Sequence, residues 1–318
     1  MQYICKIQSR LLDIKLFLPG MILLFLFCGL NLAQNVNPSA KRQSDFVTQD
    51  DKEFAKVKQF KVKTRSKYFI EKEHANPDNA PKKLIMVEKF NKNGMLTEMI
   101  EFDSRGNVTS SYNFFYDSKS RPIRAEGVDD TGRSNTQTSK YDSRGYEIER
   151  KLVSVGRRGS ETKSVLTYDK NGKLIELKNY LNDKLNDHQK FSYKNNLRTQ
   201  TVIMNAKGDT AIVLIPEYNE NAKLIREEKI QGPSQTVENY KYDERGNLIE
   251  YTDSESRRIY SFNDNNDVIE HMMFLLDGRR QIRLVFKYNQ DTLQSEQIRY
   301  DSFDAVVFHT IFEYEFYK

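Results

Sequence analysis

A five-residue pattern recurs along this chain and constrains its fold more than any other feature. In Tyr242-Asp-Glu-Arg-Gly246 an aromatic residue is followed by Asp, two variable residues and Gly, and a short apolar run comes next. Self-similarity of this kind is typical of repeat proteins, in which each unit packs on its neighbours. The repeat positions are Phe90, Gly94, Phe102, Asp103, Gly106, Tyr116, Asp117, Tyr141, Asp142, Gly145, Tyr168, Asp169, Gly172, Tyr193, Tyr218, Tyr242, Asp243, Gly246, Phe262 and Tyr288.

The pattern has the chemistry of a hairpin turn. An Asp or Asn side chain accepts a hydrogen bond from its own backbone two residues further on, which opens a turn. Gly then supplies the positive φ that closes a type I turn with a bulge. Asn266 and Ala222 replace Gly in two copies. Since Ala tolerates positive φ poorly, we expect the Tyr218 copy to be strained or to use another turn.

This turn also predicts which residues face each other across the hairpin. The aromatic residue should lie opposite the Leu or Val six residues later, as for Tyr168 and Leu174 or Phe262 and Val268. Such pairs stabilise a hairpin by roughly 0.2–1 kcal/mol each. Carboxylates recur eight residues after the aromatic, where we expect cross-strand pairs with Lys or Arg. They are Glu98, Glu149, Glu176, Glu250 and Glu270.

The repeats resemble those of the YD-repeat (Rhs-repeat) family, whose hallmark is a Tyr-Asp-x-x-Gly turn followed by a short apolar strand. Tyr141-Asp-Ser-Arg-Gly145 and Tyr242-Asp-Glu-Arg-Gly246 carry the resemblance, which covers about residues 84–300. The copies at Tyr193 and Tyr288 depart from the pattern. The resemblance implies an antiparallel sheet that winds into a shell, and it implies no single activity.

We therefore predict an all-β fold, an antiparallel meander of repeated hairpins that forms a curved or rolled sheet. Residues 51–318 would make this domain, with a short helical turn over 51–57. Apolar residues on both strand faces favour a sheet that rolls over itself. One edge would carry the regular Tyr-Asp turns and the other edge variable turns, where repeat proteins usually place recognition.

The first 33 residues have the pattern of a signal peptide. Lys6, Arg10 and Lys15 precede an apolar run from Leu16 to Leu30, and a cleavage site is expected before Gln34. The run is short for a membrane span and contains a proline, but a retained anchor is the alternative. Residues 34–50 are polar and aperiodic, as in a flexible tether. We thus expect an exported protein of the periplasm, cell surface or extracellular space.

Composition excludes several classes of function. Cys5 and Cys28 both lie in the leader, so a chain starting at Gln34 has no disulfide and no cysteine-ligated metal. Three basic residues and one acidic residue leave with the leader, which lowers the net charge from +5 to +3. Near-balanced charge without a basic stripe argues against nucleic-acid binding. Charges interrupt both faces of residues 173–180, which argues against a membrane-spanning barrel.

No catalytic, cofactor or metal pattern stands out. The four histidines have no metal-type spacing, and residues 264–267 lack the spacing and final Glu of a calcium loop. Residues 156–160 lack the Lys-Ser/Thr ending of a nucleotide loop. We therefore expect a non-enzymatic scaffold without cofactor that binds carbohydrate or another envelope or surface protein. A glycan hydrolase with non-repeated carboxylates in a cleft is the alternative, and a simple spacer gives the same sequence pattern.

Gly246→Ala should lower the free energy of unfolding by around 1 kcal/mol, because the turn needs positive φ at this residue. Tyr242→Ala should lower it by about 3–5 kcal/mol if the ring is buried like other core aromatics. Urea unfolding measures both. Neutral values for the two substitutions would contradict the assigned turn.

Overall fold

The computed structural model describes residues 49–70, 81–156 and 159–318, which form one helix and twenty strands. The helix α1 is Gln49–Gln59. The strands are β1 Val62–Ile70, β2 Lys82–Phe90, β3 Leu96–Phe102, β4 Val108–Tyr116, β5 Pro122–Asp129, β6 Ser134–Tyr141, β7 Glu147–Val155, β8 Ser160–Tyr168, β9 Leu174–Leu181, β10 Lys184–Lys194, β11 Leu197–Asn205, β12 Thr210–Tyr218, β13 Leu224–Gln231, β14 Ser234–Tyr242, β15 Leu248–Thr252, β16 Ser256–Phe262, β17 Val268–Leu275, β18 Arg280–Tyr288, β19 Gln294–Tyr300 and β20 Val306–Phe316.

The strands form a closed antiparallel barrel. Each strand pairs with its neighbours in the chain, and β20 pairs with β1. The all-β antiparallel hairpin prediction is thus confirmed, while the expected curved or rolled sheet is in fact a closed ring. Closure follows because β1 and β20 each offer a free edge, and pairing them satisfies both rows of backbone groups. The backbone N–H of Tyr317 extends the seam by donating to the carbonyl of Lys61 at 2.9 Å.

Helix α1 lies on the concave side of this ring. Lys52 donates to the carbonyl of Asn266 in the β16–β17 turn, and Lys58 lies against Gly94 in the β2–β3 turn. Along the ring, six strand spacings separate these turns, or about 29 Å. The helix rises only about 9 Å between the two lysines, and the side chain of Lys52 does not make up the difference. The helix therefore spans a chord inside the mouth of the barrel.

The best-buried apolar cluster joins the helix to the inner face of the sheet. Val57 of α1 packs with Val62, Phe90, Leu96 and Leu293, all of them buried. Phe90 lies directly opposite Leu96 across the β2–β3 hairpin. The face that carries these side chains is therefore the inner face, and strand alternation places every second residue there.

The two ends of the barrel differ in their turns. The turns after β2, β4 and each even-numbered strand to β18 define the Tyr-Asp rim, and those after odd-numbered strands define the opposite rim. The Phe102–Gly106 turn lies on the opposite rim, because a single strand separates it from the Phe90 turn. On the opposite rim, the turns at 129–132, 205–208, 275–278 and 301–304 have the same backbone hydrogen bonds as the turns of the Tyr-Asp rim. The opposite rim is therefore less variable than the sequence predicts.

The helix is longer than the single turn predicted over 51–57, since it begins at Gln49. The signal peptide 1–33 and most of the tether 34–50 lie outside the described residues. Within the ranges that the structure describes, no helix has the length and apolarity needed to cross a membrane.

Ala222 adopts the strained conformation rather than a different turn. Its φ is 59°, and its N–H donates to the carbonyl of Asn219 at 2.9 Å as in the glycine copies. The Tyr193 copy does change its turn: Asn195 and Asn196 both have positive φ and join Lys194 to Leu197 in a two-residue hairpin. This is the geometry of a type I′ turn, which suits Asn.

Ala222→Gly should raise the free energy of unfolding by about 1 kcal/mol, because Gly removes the cost of positive φ. Ala125→Gly in β5, a position paired regularly on both sides, is the matched control and should lower it, since Gly weakens a strand interior. Urea unfolding of both variants measures the difference. Equal effects of the two substitutions would show that the turn at Ala222 stores no strain.

Candidate functional site

The aspartates of the repeat hold the turns as the sequence predicts. Oδ1 of Asp117 accepts from the N–H groups of Lys119 and Arg121, both at 2.9 Å. Asp103 and Asp169 make the same pair of bonds in their own turns. These carboxylates face their own backbone, so their task is structural.

Tyrosines of the Tyr-Asp rim tie several of its hairpins to the preceding one. The hydroxyl of Tyr242 donates to the carbonyl of Leu224 at 2.8 Å, and Leu224 adjoins the β-bulge of its own hairpin. A bulge disrupts the ladder locally, and the hydroxyl offers this backbone another donor. The same bond joins Tyr116 to Leu96, Tyr141 to Pro122, Tyr193 to Leu174, Tyr288 to Val268 and Tyr314 to Gln294.

Tyr242 itself is only partly buried. Its replacement by Ala should therefore cost less than the 3–5 kcal/mol or so of a fully buried ring. The predicted registers are confirmed, because Tyr168 pairs with Leu174 and Phe262 with Val268.

Cations lie over these rings, and α1 supplies two of them. Lys223, the residue after one turn, stands 4.9 Å from the ring of Tyr242. The residue that follows the turn is not a cation in two later copies, where it is Asn247 or Asp267. There, Lys52 lies 5.5 Å from the Phe262 ring and Lys56 lies 4.8 Å from the Tyr288 ring. The helix thus completes the stack of cations and rings where the repeat does not.

Ion pairs cover the outer face. Lys241 precedes the inward-facing Tyr242, so its side chain points outward and meets Glu250 at 2.7 Å. The prediction for the recurring glutamates is confirmed for four of the five, in the pairs Lys89–Glu98, Lys140–Glu149, Lys241–Glu250 and Arg283–Glu270. Glu176 differs, because its cross-strand partner is His188 and the lysine that it contacts, Lys178, lies on the same strand. Partly exposed pairs of this kind stabilise a fold by little, about 0–1 kcal/mol each.

On the inner face, two glutamates oppose each other. Tyr240 lies two residues before Tyr242 and shares its inward direction, as does Glu238. Glu238 lies directly opposite Glu227 of β13. The hydroxyl of Tyr240 donates to Oε2 of Glu238 at 2.6 Å. Burial raises the pKa of Glu227, and the nearby Glu238 charge raises it further. Arg198 of β11 pairs with Glu227.

The inner cluster continues across β15–β17. Tyr251 faces Tyr240 with ring centroids 5.2 Å apart, and the guanidinium of Arg258 lies 5.3 Å from the Tyr251 ring. Tyr260 stacks on His271 at 4.6 Å. Burial lowers the pKa of His271 to about 4, with help from the Arg258 charge, so this histidine is neutral at pH 7.

Sequence reasoning missed this cluster. The signal that would have found the glutamates is the Gly232-Pro233 turn, since pairing Gln231 with Ser234 places Glu227 opposite Glu238. Arg198 and Arg258 sit on strands without a distinctive motif. The repeat positions, in contrast, gather on the rims and form no reactive constellation.

The remaining sequence candidates have structural surroundings. Asp267, in the segment that faintly resembles a calcium loop, is buried and accepts from Lys56 at 2.8 Å. His309 contacts Glu296 at 2.9 Å, and His74 lies outside the described residues. Across the described ranges, no group of three or more His, Cys, Asp or Glu side chains is placed to hold a metal ion.

Comparisons with known proteins find little similarity. No family model matches the chain, and no curated protein matches it. Among solved structures, a chain of the Photorhabdus luminescens Tc holotoxin pore is 10% identical with a TM-score of 0.30, over 77% of this chain and 18% of that chain. A porin-like protein from Bacteroides uniformis is 9% identical with a TM-score of 0.33, over 80% and 98%. Likeness at this level does not assign the chain to a family.

The repeat aspartates make stability depend on pH. Partial desolvation raises the pKa of Asp142. Hydrogen bonds from the Tyr146 N–H and the Arg144 side chain outweigh this effect, so the pKa is lowered overall. A lowered folded pKa stabilises the fold above the unfolded pKa of about 3.9, and this contribution is lost as pH falls through the folded value. Asp142→Asn should therefore reduce the loss of stability on acidification, as followed by urea unfolding between pH 7 and pH 2.

Asp183→Asn on the opposite rim is the control. If the Asp142 variant lost as much stability between pH 7 and pH 2 as the natural protein, the turn would not favour the charged carboxylate.

Proposed function

We propose that this protein is an exported, non-enzymatic scaffold that binds a protein or another component of the cell envelope through its opposite rim. The observation that carries the proposal is the position of exposed apolar side chains. Phe303 is 89% exposed, Leu276 60% and Val155 59%, and all three lie at the opposite rim. Val108, Val128 and Leu181 at the same rim are also exposed.

The two rims differ in what they offer to a partner. Helix α1 packs inside the mouth of the barrel at the Tyr-Asp rim. Hydrogen bonds from tyrosine hydroxyls also fix the hairpins of this rim. The exposed isoleucines near that rim, such as Ile175 and Ile225, are only 37% and 36% exposed. Burying a large apolar side chain on binding stabilises a complex by about 1.5–3 kcal/mol. The opposite rim therefore has more to gain from contact with a partner.

Export rests on the leader pattern of residues 1–33, and the shell-like repeat array rests on the resemblance to the YD-repeat family. Neither assigns a particular partner. The apolar character of the rim favours a partner with apolar surface over a purely polar one.

A glycan hydrolase is the second candidate, and the Glu227–Glu238 pair is the observation that favours it. Glycosidases use two carboxyl groups, one of which has a raised pKa and acts as the acid. Glu227 has the raised pKa. Two directly opposed side chains on adjacent strands, however, lie side by side on one surface rather than on either side of a scissile bond.

The double variant Phe303→Ser, Leu276→Ser should lose binding to an immobilised envelope extract, because it removes two of the most exposed apolar groups of the opposite rim. The double variant Ile175→Ser, Ile225→Ser is the matched control near the Tyr-Asp rim and should bind the extract as well as the natural protein does. Both variants should unfold at similar urea concentrations, since all four side chains are exposed. Equal retention by the two variants, or no retention by the natural protein, would overturn the rim assignment.

A further inference from the structure

We infer that the inner face of β11–β17 carries a binding site for a neutral saccharide. The site is the inner cluster formed by Arg198, Glu227, Glu238, Tyr240, Tyr251 and Arg258. It lies on the strands rather than on the turns, so it is separate from the opposite rim. Solvent reaches it, because the side chains of Glu227, Arg198 and Arg258 remain 15%, 18% and 26% exposed.

The opposed glutamates are costly to the fold by themselves. Like charges directly opposite each other on adjacent strands are destabilising. Arg198 pairs with Glu227, whereas Glu238 accepts from the neutral hydroxyl of Tyr240. A ligand with two adjacent hydroxyl groups relieves this repulsion, since each O–H donates to one carboxylate.

The arginines supply the complementary donors. The Nε atoms of Arg198 and Arg258 are buried and have no hydrogen-bond partner among the residues that the structure describes. A buried donor without a partner destabilises the fold. Hydroxyl oxygens accept as well as donate. A sugar hydroxyl therefore satisfies the carboxylates and the guanidinium groups of this cluster together.

Charges of both signs in the cluster disfavour ionic ligands. The two glutamates and the two arginines balance, and Asp253, whose carboxylate lies 4.0 Å from Arg258, adds one negative charge beside them. A cation would approach the guanidinium of Arg258, which already lies over the Tyr251 ring. An anion would approach the opposed carboxylates of Glu227 and Glu238. A neutral polyhydroxylated ligand avoids both repulsions.

An aromatic ring gives the ligand an apolar edge to pack against. This ring is that of Tyr251, which is half-buried, and the buried ring of Tyr240 lies beside it across β14 and β15 with centroids 5.2 Å apart. Tyrosine presents an apolar ring together with a polar hydroxyl, which suits the alternating C–H and O–H surfaces of a sugar.

The experiment is calorimetric titration of the purified protein with neutral hexasaccharides of glucose and of N-acetylglucosamine. The natural protein should bind at least one of them. Glu238→Gln and Arg258→Gln should each weaken that binding about tenfold or more, because each removes a charged partner of the ligand. Glu250→Gln, which alters an ion-paired glutamate of the outer face, should leave the affinity unchanged.

A structural role for the cluster gives a different result. Glu238→Gln removes the like-charge repulsion, so it should not lower the urea midpoint while it weakens binding. The proposal is overturned if neither hexasaccharide binds, if only charged oligomers of glucosamine or galacturonate bind, or if Glu238→Gln leaves the affinity intact. Shorter saccharides that form with the natural protein but not with Glu227→Gln would support the site and overturn the proposal that the protein is non-enzymatic. If binding through the opposite rim is not found, the proposal of a saccharide site on the inner face is unaffected.

Discussion

The bond from a tyrosine hydroxyl to the backbone of the preceding hairpin is the interaction on which the barrel depends. Each hairpin contains a bulge beside its turn, and the bulge disturbs the ladder there. The hydroxyl of the next Tyr-Asp turn reaches this point, as from Tyr242 to Leu224 at 2.8 Å. A Phe ring fills the same space but brings no donor. Where a tyrosine such as Tyr116, Tyr141 or Tyr242 begins the turn, it therefore also fixes the position of the preceding hairpin.

Closure adds a constraint that no single repeat contains. Twenty strands close because β1 and β20 remain as free edges after all hairpins have formed. Helix α1 spans this seam, since Lys52 and Lys56 stand over the rings of Phe262 and Tyr288 on one side and Lys58 lies against Gly94 on the other. Lys52 and Lys56 act where Asn247 and Asp267 replace the cation found at Lys223. The helix is thus fitted to the part of the array whose own sequence departs from the repeat.

The sequence was most informative where a side chain acts on its own hairpin. The Asp hydrogen bonds, the opposition of Tyr168 and Leu174 and the strain at Ala222 follow from local turn chemistry. Closure could not be predicted, because it depends on pairing between β1 and β20, which lie more than 200 residues apart. The inner cluster was also hidden. The inward position of Glu227 and Glu238 depends on register and on which face is concave, and α1 reveals that face.

The position of α1 also bears on the order in which the chain acquires its structure. The helix touches turns formed by residues near 94 and near 266 and 292, so its contacts need most of the polypeptide. The seam between β1 and β20 likewise joins residues from the two ends of the described chain. Pairing over such separations is slow, because the entropy of ordering a long segment is lost before the contact forms. The pairing of β1 with β20 therefore has to wait for synthesis of the last strand, so we expect closure of the ring to be a late step.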